Sequence, residues 1–544
     1  MPAPIGGDVS GSIAKYETLA VQHADPFTTP RWTYVAYPQG AQGNEGVDRV
    51  SFFSVLYLWI GSVLIGPVMT HMLLSVFGYF LSAVIMFLFM KRVTDSDLAA
   101  GVAGLIFGFS PHMQSLNRAD PTYMHMWLLL LPLWAFWELL QHKEKVWTYL
   151  LVAALSVVPA VFWTPYYMFH VFLVAGGSLV FVIYSWRRQG RTLMSIVART
   201  LPIAFIWAGI LASYWYIGTT SPSTQIPQRS LLEAYQQAAH PLMYIVPGYY
   251  SVWGSSIHRW VSHYVPYMFG TNLYVGVSSC ILAVMALFLR ERRQRSLFVR
   301  LRIHKLSSSD ELKVMATTVV FICFFFSLAP RVHLFGLAIP TPNDLVVHAV
   351  PALRAGQRVV MPLLVGLSVL AGMGAVTLAS YVRPKWRLWV SAGILVVVFI
   401  DILALPPRSA ATLPHYPSLA VLRAQPPGAV AVFFQYHSLF GPRMQTPCVL
   451  QGQFDKPVVN DCNLRQNPAV APPLLAHLES QPLCDQAGIM RQWGVRYFVL
   501  FNTPTNVGVQ NCLQQEGRGQ IIAHDDTFTV INIDKQSRKQ KSVN

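Results

Sequence analysis

Apolar residues run in long uninterrupted stretches through the first two-thirds of this chain, and the stretches are spaced by short polar loops. Ten of them approach the roughly 20 residues a helix needs to cross a bilayer: about 71–91, 98–116, 123–140, 146–161, 163–185, 194–218, 271–290, 311–329, 359–380 and 386–405. An eleventh, 51–67 (SFFSVLYLWIGSVLIGP), ends at Pro67 and reads as an interfacial or re-entrant helix. If it spanned, Lys91 and Arg92 would fall on the wrong side. After Pro406 the pattern changes to prolines and period-2 alternation. AVAVFF (429–434) and RYFVLF (496–501) predict mostly buried strands, and TFTVINI (527–533) predicts a strand with Thr527, Thr529, Ile531 and Ile533 on one face. LLAHLES (474–480) and QAGIMRQWG (486–494) predict helices. The expected fold is therefore mainly α. It is a polytopic transmembrane bundle of about 10–11 spans with a small C-terminal α/β domain outside the cytoplasm. Its parts are an outer N-terminal loop with an interfacial helix (1–70), the bundle with its outer loops (71–405), the outer domain (406–534) and a disordered tail (535–544).

Composition supports a membrane protein: 53% of residues are hydrophobic and only 12% charged, against about 25% charged in soluble domains. The net charge of +16 could suggest a polyanion partner. The basic residues, however, fall in alternate loops: Lys91 and Arg92; Lys143 and Lys145; Arg187, Arg188 and Arg191; 290–305; Arg383, Lys385 and Arg387. That is the positive-inside signature, and it argues against a nucleic-acid partner. It places 1–50, 114–122, 219–270, 330–358 and everything after 405 on the outer side. Residues 1–50 contain no apolar run, so no signal peptide is expected among them. An acidic tail that crosses, or a first helix lost from a misassigned start, would account for their placement.

Four of the six cysteines, Cys448, Cys462, Cys484 and Cys512, lie in the outer domain, where disulfides are expected in one of three pairings. None has zinc-site spacing. Cys280 and Cys323 fall inside apolar helices and read as packing residues. The chain has no P-loop, no G-x-G-x-x-G after a strand and no H-E-x-x-H, which disfavours a nucleotide-dependent enzyme.

Candidate chemistry therefore concentrates in the outer loops. In GGDVSGSIAKYETLAVQHADPF (6–27), Gly6 and Gly7 precede Asp8, and Lys15, Tyr16 and His23 follow; a plain polar tail is the competing reading. In SPHMQSLNRADPTYMH (110–125) a tight loop carries His112, Arg118, Asp120 and His125, although Asp-Pro also serves as an ordinary helix start. In AVPALRAGQRVVMP (349–362), Arg354 and Arg358 are four apart and would share one helix face, able to hold one anion or to snorkel to headgroups. The aromatic loop 219–270 could stack on sugars or line the membrane interface.

Three stretches taken in order, GGDVSGSIAKY…DPF…YPQG, LAAGVAGLIFGFSPHMQSLNRADPTYMH and VPALRAGQRVV followed by LAGMGAVTLA, resemble the GT-C-type membrane glycosyltransferases. The likeness is to the bacterial branch with a periplasmic C-terminal domain, and it implies a multi-pass protein of the bacterial inner membrane. The implied activity is transfer of a sugar from a polyprenyl-phosphate donor held in the bilayer to a glycan or lipid acceptor outside. Asp8 matches the catalytic acid of the first outer loop, and Asp120 matches a second acidic position. Arg354 and Arg358 match basic residues that hold the lipid phosphate, and Lys15, Tyr16, His23, Arg118 and His125 are expected around the substrate. No cofactor is required, although a divalent cation is compatible with the chemistry. Membrane lipids are the remaining partners. One departure is that the family has a transmembrane helix before the Gly-Asp loop. The competing readings are a lipid or glycan transporter or flippase, and a non-catalytic scaffold with a binding outer domain. The transporter reading wants midplane ionisable residues and internal repeats; Asp401 lies near a helix end, and no repeat is evident.

Overall fold

A computed structural model of the chain describes residues 8–28, 31–32, 41–42, 49–117, 121–220, 234–235, 237–247, 251, 254, 257, 273–289, 308–334, 337–349, 356–403, 415–433, 450–459, 483–502, 504–515 and 519–533. The helices used below are α1 (Asp8–Val21), α2 (Phe52–Ile65), α3 (Pro67–Thr94), α4 (Asp97–Phe109), α5 (Pro111–Asn117), α6 (Trp127–Gln141), α7 (Val146–Leu155), α8 (Pro165–Arg188), α9 (Leu193–Thr219), α10 (Val277–Phe288), α11 (Ser308–Ser327), α12 (Pro342–Ala349), α13 (Val360–Ser380), α14 (Arg387–Ile402), α15 (Leu483–Gln492) and α16 (Pro504–Gln515). Each of the ten long apolar stretches of the sequence contains a helix. Among the described residues, five segments are both long and apolar enough to cross a membrane: Pro67–Thr94, Pro121–Gln141, Pro165–Arg188, Leu193–Ile217 and Gly356–Ser380.

α13 forms the axis of the bundle, with 94% of its apolar window buried. It packs on α10, α11 and α4, and small residues make that possible. A Cβ at Gly366 would lie 2.5 Å from the Ala316 carbonyl oxygen of α11, and one at Gly372 would lie 2.6 Å from that of Ala99 in α4. A Cβ at Gly374 would overlap the Leu282 carbonyl of α10. Gly366, Gly372 and Gly374 thus let three helix backbones approach α13. α9 is the opposite case: it is 11% buried, and Leu201, Phe205 and Trp215 are exposed on it.

The ends of the helices sort into two sets. Arg92 at the end of α3 pairs with Glu138 of α6 at 2.6 Å, and Glu138 also takes His142 at 3.2 Å. Ser185, late in α8, donates to Glu311, early in α11. The end of α3 thus neighbours the end of α6, and the end of α8 neighbours the start of α11. At the other set, the backbone N–H of Phe53 donates to the Phe162 carbonyl, and Trp59 Nε1 donates to the Ala24 carbonyl at 3.2 Å. α2 therefore stays with the ends opposite the basic ones. Its 14 residues extend ~21 Å at 1.5 Å per residue, short of the roughly 30 Å hydrocarbon core. It stops at Gly66, whose φ of +84° suits glycine, and Pro67 opens α3.

The C-terminal domain is a four-stranded sheet of β3 (Ala429–Phe433), β4 (Val495–Phe501), β5 (Gln520–His524) and β6 (Phe528–Asn532), after a hairpin, β1 (Arg331–Leu334) and β2 (Leu337–Pro340), that belongs to the bundle. The sheet order is β3-β4-β6-β5. β3 and β4 are parallel, with Val430 opposite Tyr497; β6 is antiparallel to β4 and β5. The parallel pair needs a crossover, and α15 lies within it. Both faces of β3, β4 and β6 are buried, which explains their near-continuous apolar runs. Val430, Val432, Tyr497, Val499, Phe528 and Val530 join the core of the bundle. Ala431, Phe433, Phe498, Leu500 and Ile531 face Ala487 and Met490 of α15.

The N-terminal segment departs from the expected loop. α1 is a 14-residue helix that buries Ile13, Tyr16, Thr18 and Leu19. It packs on α2 and α3 and also on the turn Gln451–Phe454 of the C-terminal domain. Thr18 Oγ1 donates to Gln451 Oε1 at 2.8 Å, so α1 is the splint between bundle and domain.

Candidate functional site

The loop 110–125 folds into α5 and a 3-10 turn, Pro121–Met124, that is wholly buried. Buried carbonyls need donors, and three surrounding segments supply them. Trp163 Nε1 donates to the Thr122 carbonyl at 2.8 Å, Tyr167 Oη to that of Tyr123 at 2.8 Å and Ser82 Oγ to that of Met124 at 3.0 Å. His125 completes the anchorage. Its Nε2 meets the Leu74 carbonyl at 3.1 Å, its Nδ1 accepts from Trp127 Nε1 at 3.1 Å, and its ring lies 4.6 Å from that of Trp163. Both ring nitrogens are engaged inside the protein. These contacts give His125 a scaffold role.

Opposite this turn, Gly356–Val359 forms a second 3-10 turn at the head of α13. Gly356 packs tightly here, since a Cβ would lie 3.0 Å from Asn343 Nδ2 and 3.1 Å from the Ser327 carbonyl oxygen. The Gln357 N–H donates to the Gln237 carbonyl at 2.9 Å, and Asn343 Nδ2 donates to that of Leu328 at 2.8 Å. This bracing presents Arg358. Arg358 Nη1 donates to Tyr123 Oη at 2.7 Å. Its guanidinium carbon is 4.8 Å from the centre of the Tyr123 ring and 4.1 Å from that of Tyr166. Pro165 starts α8 at its first turn, which sets Tyr166, Tyr167 and His170 in register. The rings of Tyr166 and Tyr167 both contact His170, at 6.3 and 6.2 Å. His170 and His112 are buried beside the arginine. The site is a half-buried cation on an aromatic wall, at the same ends of the bundle as α1 and the C-terminal domain. The sequence marked Arg358 but missed Tyr123 and Tyr166; the YY pair after Trp-Thr-Pro was the available signal.

The other expected residues are distributed as follows. Asp8 is the first residue of α1, and its side chain lies outside the described part of the structure. Lys15 Nζ is 5.8 Å from the Tyr16 ring centre. Tyr16 is 3% exposed and packs 6.1 Å from the His71 ring, which makes it a core residue rather than a surface contact. His23 is exposed and ends α1 with φ of +51°. Arg118, Asp120 and Arg354 lie outside the described residues. The common helix face expected for Arg354 and Arg358 therefore falls partly outside the described residues. Cys448 and Cys462 are outside the described residues; Cys484 and Cys512 are on α15 and α16, with side chains not described. Cys280 and Cys323 are free thiols in α10 and α11. Among the described residues, no group of three or more His, Cys, Asp or Glu could hold a metal ion.

Two acids acquire roles that the sequence did not assign. Burial pushes the Glu17 carboxyl up to about 7, against the pull of Arg423 in the C-terminal domain. Asp401 accepts from Tyr274 Oη, from Ser278 Oγ and from the Ser278 backbone N–H, the last at 2.7 Å. It thereby caps the N-terminus of α10, where an anion is stabilised by unpaired N–H groups.

The apolar spans and the appended sheet domain describe a polytopic integral membrane protein. The family described as "Domain of unknown function (DUF6311)" matches residues 47–403, and the chain belongs to it. Among solved structures it is similar to ArnT from Cupriavidus metallidurans in the apo state: 12% identity and a TM-score of 0.51, covering 98% of this chain and 94% of that one. The structure of ArnT from the same organism bound to undecaprenyl phosphate shares 13% identity and a TM-score of 0.47, covering 97% and 93%. At this identity the first likeness establishes the fold. No curated protein matches the chain.

Proposed function

We propose that the protein is a membrane glycosyltransferase that moves a sugar from a polyprenyl-phosphate donor to a glycan or lipid acceptor outside the cytoplasm. The observation that carries this reading is Arg358, a guanidinium held in a fixed pose at the mouth of an apolar bundle. An amphiphile whose tail lies among the helices would present its phosphate at that level. Glycosyl transfer from it leaves a phosphate whose charge needs a cation, and a guanidinium meets that need without a metal. The acceptor hydroxyl needs a base. Asp8 is our candidate, with Asp120, Arg118 and Arg354 as further substrate-facing groups and Lys15 and His23 on and after α1. In this reading the α1 end and the C-terminal domain face outward across the inner membrane, and Cys448, Cys462, Cys484 and Cys512 form disulfides there. A divalent cation would be an auxiliary only.

The test is sugar release from polyprenyl-phosphate sugars by the full chain in liposomes. Asp8→Asn should abolish transfer with donor binding intact. Arg358→Ala should weaken donor binding by about 1.5–3 kcal/mol, the worth of a hydrogen bond to a charged group. Absence of transfer with every donor tried would remove the enzyme reading in favour of a scaffold.

A further inference from the structure

We infer that Tyr166 and Tyr123 are positioning residues that fix the plane of the Arg358 guanidinium toward an anionic lipid headgroup. This inference rests on the phosphate role proposed for Arg358. The two tyrosines act differently. Tyr123 Oη accepts from Arg358 Nη1 at 2.7 Å, a bond with a direction. Tyr166 offers its ring face, 4.1 Å from the guanidinium carbon, and a face requires no hydroxyl. Stacking uses the faces of a guanidinium, whereas binding of a phosphate uses its edge, so the two do not compete.

Both tyrosines are themselves immobilised. Tyr123 is 5% exposed, in a turn whose carbonyls take the Trp163, Tyr167 and Ser82 donors. The rings of Tyr123 and Tyr166 meet edge to face at 6.0 Å, and His170, 1% exposed, backs Tyr166. A long arginine side chain otherwise loses much rotamer freedom when it binds. An aromatic wall that orders it beforehand reduces that loss, which is how preorganisation raises affinity. A lysine at position 358 would keep the charge but lose the stacked plane.

The experiment measures binding of undecaprenyl phosphate to the full chain in detergent micelles, together with the melting temperature. Tyr166→Leu removes the face and should weaken binding about tenfold, within the range of a desolvated cation–π contact. Tyr166→Phe keeps the face and should bind like the wild type. Tyr123→Phe loses the acceptor and should weaken binding while melting normally. The double variant Tyr166→Leu/Arg358→Ala should bind no more weakly than Arg358→Ala alone, because the tyrosine acts through the arginine. If Arg358→Ala weakens binding and Tyr166→Leu does not, positioning by the tyrosine is refuted and the phosphate role stands. A loss at Tyr166 that persists in the Arg358→Ala background also refutes it. Unchanged binding in Arg358→Ala overturns both.

Discussion

Glu17 lies where α1 meets the C-terminal domain, and burial there holds its carboxyl up to about 7 against a reference of 4.5. The folded state therefore keeps a proton that the unfolded state releases. Stability should fall as pH rises from about 4.5 to about 7 and level off above that. Glu17→Gln should remove this slope and raise the melting temperature at pH 8, as thermal unfolding across pH 5–8 would show. A slope that persists in the variant would assign it to another group. His125 allows a second prediction. His125→Ala removes the acceptor of the Trp127 indole N–H and the second contact of the Leu74 carbonyl, which keeps its place in α3; a buried group left unsatisfied costs about 1–3 kcal/mol. It should destabilise by about 2 kcal/mol or more in a denaturant titration, whereas exposed His23→Ala should stay within about 0.5 kcal/mol. Equal effects at the two histidines would remove the scaffold role.

At the scale of elements, close helix approach is the main device of the bundle. Gly374→Ala places a Cβ against the Leu282 carbonyl, and backbone cannot rotate away as a side chain can. Overpacking of this kind costs about 1–3 kcal/mol. Gly393→Ala on α14 meets nothing within 4 Å and should be neutral or stabilise by about 0.5–1 kcal/mol. Melting temperatures of the two variants in one detergent check the contrast. The GMGA run was visible in the sequence, but which glycine met which neighbour was not, because that depends on the rotation of α13 among three partners. The helix periodicity of α1 was equally available in Ile13, Tyr16 and Ala20. It reads as a polar tail because its partners, α2, α3 and the turn Gln451–Phe454, are remote in sequence.

For the whole molecule, the alternation of basic loops gives an orientation that labelling can test. We predict that a cysteine at position 295 labels only from the cytoplasmic side, while positions in the C-terminal domain label from outside. Outside labelling of position 295 would reverse the orientation. In protein purified without reductant, alkylation and mass spectrometry should find Cys448, Cys462, Cys484 and Cys512 oxidised and Cys280 and Cys323 free. Four reactive thiols in the domain would count against its export.

The sequence by itself determined the order of the apolar helices, three strands of the C-terminal sheet, and Arg358 as a cation of interest. These follow from local quantities: hydrophobic run length, period-2 alternation and the charge of short loops. Only the tertiary structure decided that α1 is a splint, that Tyr16 and His125 belong to the core, that Asp401 caps α10, and that Tyr123 and Tyr166 wall the arginine. Each of those roles comes from a partner far along the chain: Arg358 and Tyr123 are 235 residues apart, and Thr18 and Gln451 are 433 apart. Burial and hydrogen bonding are properties of the packed neighbours, and a local pattern does not encode which neighbours will arrive.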